Sequence, residues 1–167
     1  IYKRAVESFK KLAEYLVEDF YMYVVPYEGI LAKIAQAGGN HTCVVCKRTM
    51  YRIAERIARK EKALGIVTGE SVGQVASQTP HNLALLSSAV KTVIFRPLVG
   101  MNKQEITDLA KMVGTYDVAV RYKVSCKATP KNPTTRGSAK KVQEIEAQIN
   151  VKKLVEEAVE KARKIYA

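Results

Sequence analysis

The sequence has no tryptophan, only three cysteines and two histidines, and three phenylalanines in 167 residues. Three cysteines are an odd number, far below the density of a disulfide scaffold, so reduced thiols are the simplest reading. No apolar run approaches 18 residues, which excludes a helical membrane span, and no basic–apolar–small pattern at the start marks a secretory signal. Acid is scarce: 16 Asp+Glu stand against 28 Lys+Arg, for a net charge of +12. That surplus suits a polyanionic partner, most often nucleic acid; a basic enzyme of another kind is the alternative. What is present is globular. Apolar residues make up 47%, too many for wholesale disorder. A chain of this length allows one ordinary domain or one with an appendage. It can bury roughly 70% of its unfolded surface, so it needs no disulfide or metal merely to fold.

Apolar spacings of three and four predict a helix over 2–17, with Val6, Phe9, Ala13, Leu16 and Val17 on one side. Phe20 to Val25 reads as a strand closed by Pro26, and Tyr27 to Ala37 as a helix stopped by Gly38-Gly39. A third helix is expected from Thr42 to about Lys62, with Cys46, Met50, Ile53 and Ile57 as its stripe. Gly65 to Thr68 reads as a short buried strand, Thr92 to Phe95 as the next strand, and Ser71 to Ser88 as helix in two pieces broken around Pro80. Asn102 caps a helix over 103–113 that Gly114 ends. Alternating strands and helices predict an α/β fold with a mainly parallel sheet, whose ligands bind beyond the carboxyl ends of the strands. Those ends are Pro26, Gly69 and Arg96-Pro97. From Arg121 to Lys141 there are seven Lys/Arg and no acid, in a loop-like composition with Pro130, Pro133 and Gly137. A last helix opens at Asn150, with Val151, Leu154, Val155, Ala158, Ala162 and Ile165 on one side. The expected division is 1–149, containing the basic loop, and a C-terminal helix over 150–167.

Cys43-Val-Val-Cys46 at a helix start admits a redox pair, a metal site, or two core thiols. Cys126 lies in the basic loop, where Lys123 and Lys127 would stabilise a thiolate. Three thiols could hold an iron–sulfur cluster, or zinc with a fourth ligand such as His41; residue chemistry alone does not choose. His41 otherwise reads as a polar residue at a helix cap, and His81 as an ordinary surface or cap residue. Thr68-Gly69-Glu70-Ser71-Val72-Gly73-Gln74 follows a strand and opens toward a helix, a setting that favours an anion without forming a Walker loop or a GxGxxG.

Several segments in order carry a resemblance. They are Cys43 with Lys47 to Ala54, Thr68-Gly69-Glu70-Ser71, Gly73 to Thr79, Arg96-Pro97-Leu98, Lys103 to Ile106, and Gly114-Thr115-Tyr116. Together they resemble the catalytic domain of the tRNA 4-thiouridine sulfurtransferases, the thiamine-biosynthesis ThiI family. The likeness runs over about residues 1–149, and TGESxGQVASQT is its most specific stretch. It implies a PP-loop, adenine nucleotide α-hydrolase-like fold. It further implies ATP with Mg as cofactor, tRNA as substrate, a sulfide or persulfide carrier as sulfur donor, and a cytoplasmic setting. A homodimer is admitted, and so is a role in thiamine thiazole synthesis.

By position, Lys47, Gly69 and Gln78 match the family's nucleotide contacts, although many relatives have Arg where Lys47 stands. Cys126 matches a cysteine that assists sulfur transfer. The SGGxDS-type pyrophosphate loop, a THUMP region and a rhodanese domain are not in the sequence. With Ile1 in place of an initiating Met, this gives the expectation of a distal part of a longer, archaeal-type enzyme. The CxxC together with Cys126 resembles cluster-dependent thiolases, in which Cys43, Cys46 and Cys126 would hold a cluster, expected to be 4Fe-4S. The alternatives are a cluster-free persulfide relay on Cys126, or a non-catalytic nucleic-acid-binding domain with structural zinc. Lys131, Arg136 and Lys140 are the expected tRNA phosphate contacts.

Overall fold

The computed structural model describes residues 2–16, 20–122 and 125–166; Val17 and Lys123, singled out above, lie outside them. The chain divides into two compact units, one of residues 1–24, 101–126 and 162–167, the other of residues 25–100 and 127–161.

In the first unit, α1 (Tyr2–Ala13) packs on α6 (Tyr116–Arg121), which also meets α5 (Lys103–Met112). The expected Asn102 cap is present as a full capping box: its side chain accepts from the Gln104 and Glu105 amides, and Glu105 reaches back to the Asn102 amide. Gly114 ends the segment with φ +70°, a left-handed conformation. Strand β1 (Tyr21–Val24) is the one expected after α1, but its partner is a surprise. It pairs antiparallel with β4 (Arg163–Tyr166), Tyr21 opposite Tyr166 and Tyr23 opposite Lys164. The last helix therefore stops at Glu160, and Ile165 belongs to a strand. The Lys164 ammonium lies 3.9 Å from the Tyr21 ring centroid and 5.4 Å from that of Tyr23, a cation–π contact that favours the ribbon over a further helical turn.

The second unit carries the parallel pairing. Here β2 (Gly65–Val67) lies beside β3 (Val93–Phe95), with Ile66 opposite Ile94. Helices α2 (Glu28–Gly38), α3 (Thr42–Lys60), α4 (Pro80–Ser87), α7 (Ala139–Gln148) and α8 (Val151–Glu160) build the core of this unit from Ile34, Val44, Val45, Leu86, Val142, Leu154 and Val155. The α/β class is thus borne out. Four local expectations change. Strand β2 is not buried as expected, since Val67 at its end is 70% exposed. Met50 is 46% exposed: α3 turns Val45, Thr49 and Ile53 fully inward, so of the expected stripe Ile53 is buried and Cys46 and Ile57 are only partly so. Pro80 begins α4 rather than breaking a helix, since its fixed φ suits a first helical position and the Thr79 hydroxyl caps the Asn82 amide. The end of the basic loop becomes α7, capped by the Ser138 side chain. No helix among the described residues is long and apolar enough to cross a membrane.

Candidate functional site

The carboxyl ends of β2 and β3 are laced together beyond the strands. The Thr68 amide donates to the Phe95 carbonyl at 2.9 Å, and the Val72 amide to the Val99 carbonyl at 3.1 Å. This holds the turn of Thr68 to Gly73 against Arg96 to Val99. Glu70 points inward from that turn and is 5% exposed. Its carboxylate receives the Arg96 Nε–H at 2.9 Å, the Lys47 ammonium at 3.2 Å, the Thr68 hydroxyl at 3.2 Å, and the Tyr51 hydroxyl. Arg96 also donates to Tyr51 Oη at 3.2 Å and Ser87 Oγ at 2.9 Å. Burial by itself would raise the Glu70 pKa. The hydrogen bonds from Tyr51 and Arg96 and the charge of Lys47 outweigh it and leave the carboxyl below its ordinary range. Tyr51 moves the other way: burial, then the Glu70 carboxylate, push its phenol up.

Lys47 is therefore positioned by Glu70, which Arg96 at the end of β3 also holds. Gly69 is adjacent. Its backbone is not left-handed, and a Cβ built there meets nothing nearer than Leu98 Cδ1 at 4.0 Å. The fold itself does not demand glycine at this position. Gln78 ends a short 3-10 turn, Ala76–Gln78, and its buried Oε1 has no hydrogen-bond partner among the described residues. An open glycine backbone, an acceptor awaiting a donor and a tethered ammonium are the features a nucleotide needs, so the residues present fit one.

A second buried carboxylate ties α3 to α7. Glu146 Oε1 lies 2.7 Å from Arg48 Nε and 2.6 Å from Arg52 Nη1, and Arg48 reaches on to the Leu85 carbonyl and, at 2.9 Å, to Ser88 Oγ. A third network fixes residues 134–138 of the basic segment. The Asn82 amide donates to the carbonyls of Ala76 and Thr134 at 2.8 and 3.0 Å and accepts the Gly137 N–H at 2.8 Å. The Thr79 hydroxyl donates to the Thr135 carbonyl, and His81 Nε2 lies 2.9 Å from the Gly137 carbonyl. His41 stands at the N-cap position of α3, as expected, but its side chain makes no cap hydrogen bond to that helix; its Nε2 accepts the Ser138 N–H at 3.2 Å. Burial, with the Lys141 charge second, lowers its pKa, which keeps the ring neutral for that role. The segment that looked like free loop is thus pinned, and Lys131, Arg136 and Lys140 stand exposed, each without a carboxylate partner among the described residues.

Cys43 and Cys46 are partly exposed on the first turns of α3, and three residues apart they share a helix face. The Tyr27 hydroxyl lies 3.5 Å from Cys46 Sγ. Soft thiolate donors so spaced fit two positions of an iron–sulfur or zinc site. Cys126 is exposed and belongs to the first unit. Among the described residues no three His, Cys, Asp or Glu side chains gather as a metal site. His41 Nε2 is already engaged by Ser138.

Glu70, Tyr51, Arg96, Glu146 and Asn82 escaped the sequence reading as site residues. The signal for Glu70 and Arg96 lay in the motifs that contain them: Arg96 directly follows β3, and Glu70 stands in the turn three residues after β2. Asn82 and Glu146 left none, because the partners that matter, Thr134 and Gly137 for Asn82 and Arg48 and Arg52 for Glu146, are 52 to 98 residues away.

The sequence profile of the thiamine biosynthesis protein (ThiI) family matches residues 2–151. A probable tRNA sulfurtransferase of Acetivibrio thermocellus is 38% identical over 161 residues, covering 95% of this chain and 41% of the relative. One from Methanothermobacter thermautotrophicus is 42% identical over 156 residues, covering 92% and 40%. The chain thus spans about two fifths of the length of these relatives. Among solved structures, the crystal structure of a 4-thiouridine synthetase–RNA complex with bound ATP superposes with a TM-score of 0.87 at 30% identity, covering 97% of this chain and 44% of that one. With the profile spanning nearly its whole length and the same α/β frame beneath the strand-end cluster, the chain belongs to the ThiI family.

Proposed function

We propose that this chain serves an ATP-dependent tRNA sulfurtransferase that forms 4-thiouridine. What supports the reading is that the chain superposes on an ATP-bound 4-thiouridine synthetase, with the Glu70-tethered Lys47 and the open Gly69 backbone beside its strand ends. The uridine carbonyl oxygen attacks the α-phosphorus of ATP and pyrophosphate leaves. Adenylation turns a poor oxygen leaving group into a good one. Sulfide then bonds to the ring carbon, the carbon–oxygen bond breaks, and AMP departs; no oxidant or reductant is needed. Gly69 lets the nucleotide approach the backbone, Gln78 Oε1 accepts a hydrogen bond from it, and Lys47, with Mg, meets its phosphates. Lys131, Arg136 and Lys140 meet tRNA phosphates.

Sulfur delivery belongs to Cys43, Cys46 and Cys126, which would together hold a 4Fe-4S cluster in the archaeal-type arrangement. When bound, the cluster supplies a soft Lewis-acidic iron for sulfide. In the cluster-free reading, Cys126 carries a persulfide and the CxxC thiols supply the electrons that release its sulfur. The reduced thiols and polyanionic substrate suit the cytoplasm. A homodimer and a share in thiamine thiazole synthesis extend the same proposal.

Gly69→Val in a complete enzyme carrying this chain tests the nucleotide site. Calorimetry should show weakened ATP binding, and nucleoside mass spectrometry of tRNA should show 4-thiouridine lost. Unaltered ATP affinity would move the pocket elsewhere. For the cluster, anaerobic purification should give a brown protein with a broad band near ~400 nm and bound iron and sulfide, the spectrum of a thiolate-held centre. A colourless zinc-loaded protein would return the binding-module reading.

A further inference from the structure

Tyr27 immediately precedes α2, yet its side chain makes no cap to that helix. It points instead at the start of α3, where its hydroxyl lies 2.9 Å from the Cys46 carbonyl oxygen and 3.5 Å from Cys46 Sγ. Both acceptors belong to one residue, so rotation about a single C–O bond carries the proton from one to the other. The carbonyl loses little by this, since within an α-helix it also receives the amide four residues on. The sulfur gains much. A neutral thiol is a weak acceptor, whereas a thiolate or metal-bound sulfur accepts strongly.

We propose that Tyr27 is the outer hydrogen-bond donor to the Cys46 sulfur, a positioning residue that orients it and withdraws electron density from it when it is negatively charged. The part of this that concerns a cluster rests on the sulfur-delivery reading above; the contact with a thiolate does not. The ring packs against the core of its unit, a task that phenylalanine would perform equally well. The hydroxyl is what the contact to Cys46 adds. Donors of this kind around metal-bound thiolates fix the ligand's direction and raise the potential of iron–sulfur centres.

Tyr27→Phe removes that one oxygen. In the chain as it stands, iodoacetamide labelling is followed by mass spectrometry at pH ~9.5, where ordinary thiols are ionised. Cys46 should label about two- to tenfold faster relative to Cys43 than in the parent, the factor of one lost hydrogen bond. Cys43, on the same helix start, is the internal reference. Loosening of the whole turn speeds both thiols and leaves the ratio unchanged, and an unchanged ratio overturns the proposal. After anaerobic reconstitution with iron and sulfide, Y27F should also show a more negative midpoint potential than the parent. An equal potential in two iron-loaded proteins likewise overturns it. A changed labelling ratio in a protein that takes up no iron upholds Tyr27 and rejects the cluster alone.

Discussion

Three glutamates, Glu55, Glu70 and Glu146, are buried in the second unit, and all three titrate in the same direction. For Glu146, burial pulls the pKa upward, but the hydrogen bonds and charges of Arg52 and Arg48 prevail and hold it below the ordinary value, as the partners of Glu70 do there. A carboxyl with a depressed folded pKa adds stability in full above its unfolded value of about 4.3. That contribution is lost as the pH falls through the lower folded value. Denaturant midpoints should therefore be flat from pH ~7 to ~5 with respect to these groups and drop steeply below ~4. Glu146→Gln should flatten part of that drop. It should also cost about 3 kcal/mol or more at neutral pH, because it leaves the 4%-exposed Arg48 without its counter-charge. Gly69 predicts the opposite pattern. With open space for a methyl group, Gly69→Ala should change unfolding free energy by no more than about 0.5 kcal/mol. ATP affinity should still fall, so the two measurements separate a ligand-facing glycine from a folding one.

Elements were legible where local signals agreed, and illegible where a distant partner decided. Helix α5 was readable because Asn102, Glu105 and Gly114 all mark its ends by local chemistry. Helix α3 was readable in extent but only partly in orientation: its inward face includes Arg48 and Glu55, polar groups whose partners lie elsewhere in the chain, and Thr49, whose hydroxyl donates back to the Val45 carbonyl. The strand β4 was hidden because its one partner, β1, lies some 140 residues earlier. Residues 134–138 had loop composition and are nevertheless fixed by Asn82, Thr79, His81 and His41. Gly137 shows how closely. A Cβ there would sit 3.0 Å from Leu85 Cδ2 and 3.2 Å from Asn82 Oδ1. Gly137→Ala should cost about 1–3 kcal/mol in chemical denaturation, the range of an overpacked site. Hydrogen exchange should show faster loss of the Gly137 amide, which donates to Asn82. A mobile basic loop would give neither effect.

At the scale of the molecule, the net charge of +12 pointed to a polyanion, and the order of short motifs pointed to the family. The motifs were legible because Gly69, Lys47 and Gln78 stand at fixed places in them. The cluster that aims Lys47 was not, because Glu70, Tyr51 and Arg96 meet only after β2, β3 and α3 have packed. The pinning of residues 134–138 gives the charge a definite consequence. A phosphate contact made from a fixed backbone loses less conformational freedom than one made from a free tail, so the cations of this segment should act as discrete contacts. Lys131, Arg136 and Lys140 are exposed, and none is paired with a carboxylate among the described residues, so each is available to a phosphate. Each contact made releases close to one counterion, between about 0.7 and 0.9 per phosphate from single- to double-stranded nucleic acid. Neutralising all three to Gln should lower tRNA affinity. It should also reduce the slope of log K against log salt by up to about one unit per contact, measured by filter binding across a salt series. The effect should be the same for tRNAs of different sequence, since phosphates carry no base identity. An unaltered slope would mean that this positive surface faces solvent in the complex and that tRNA is held by other cations.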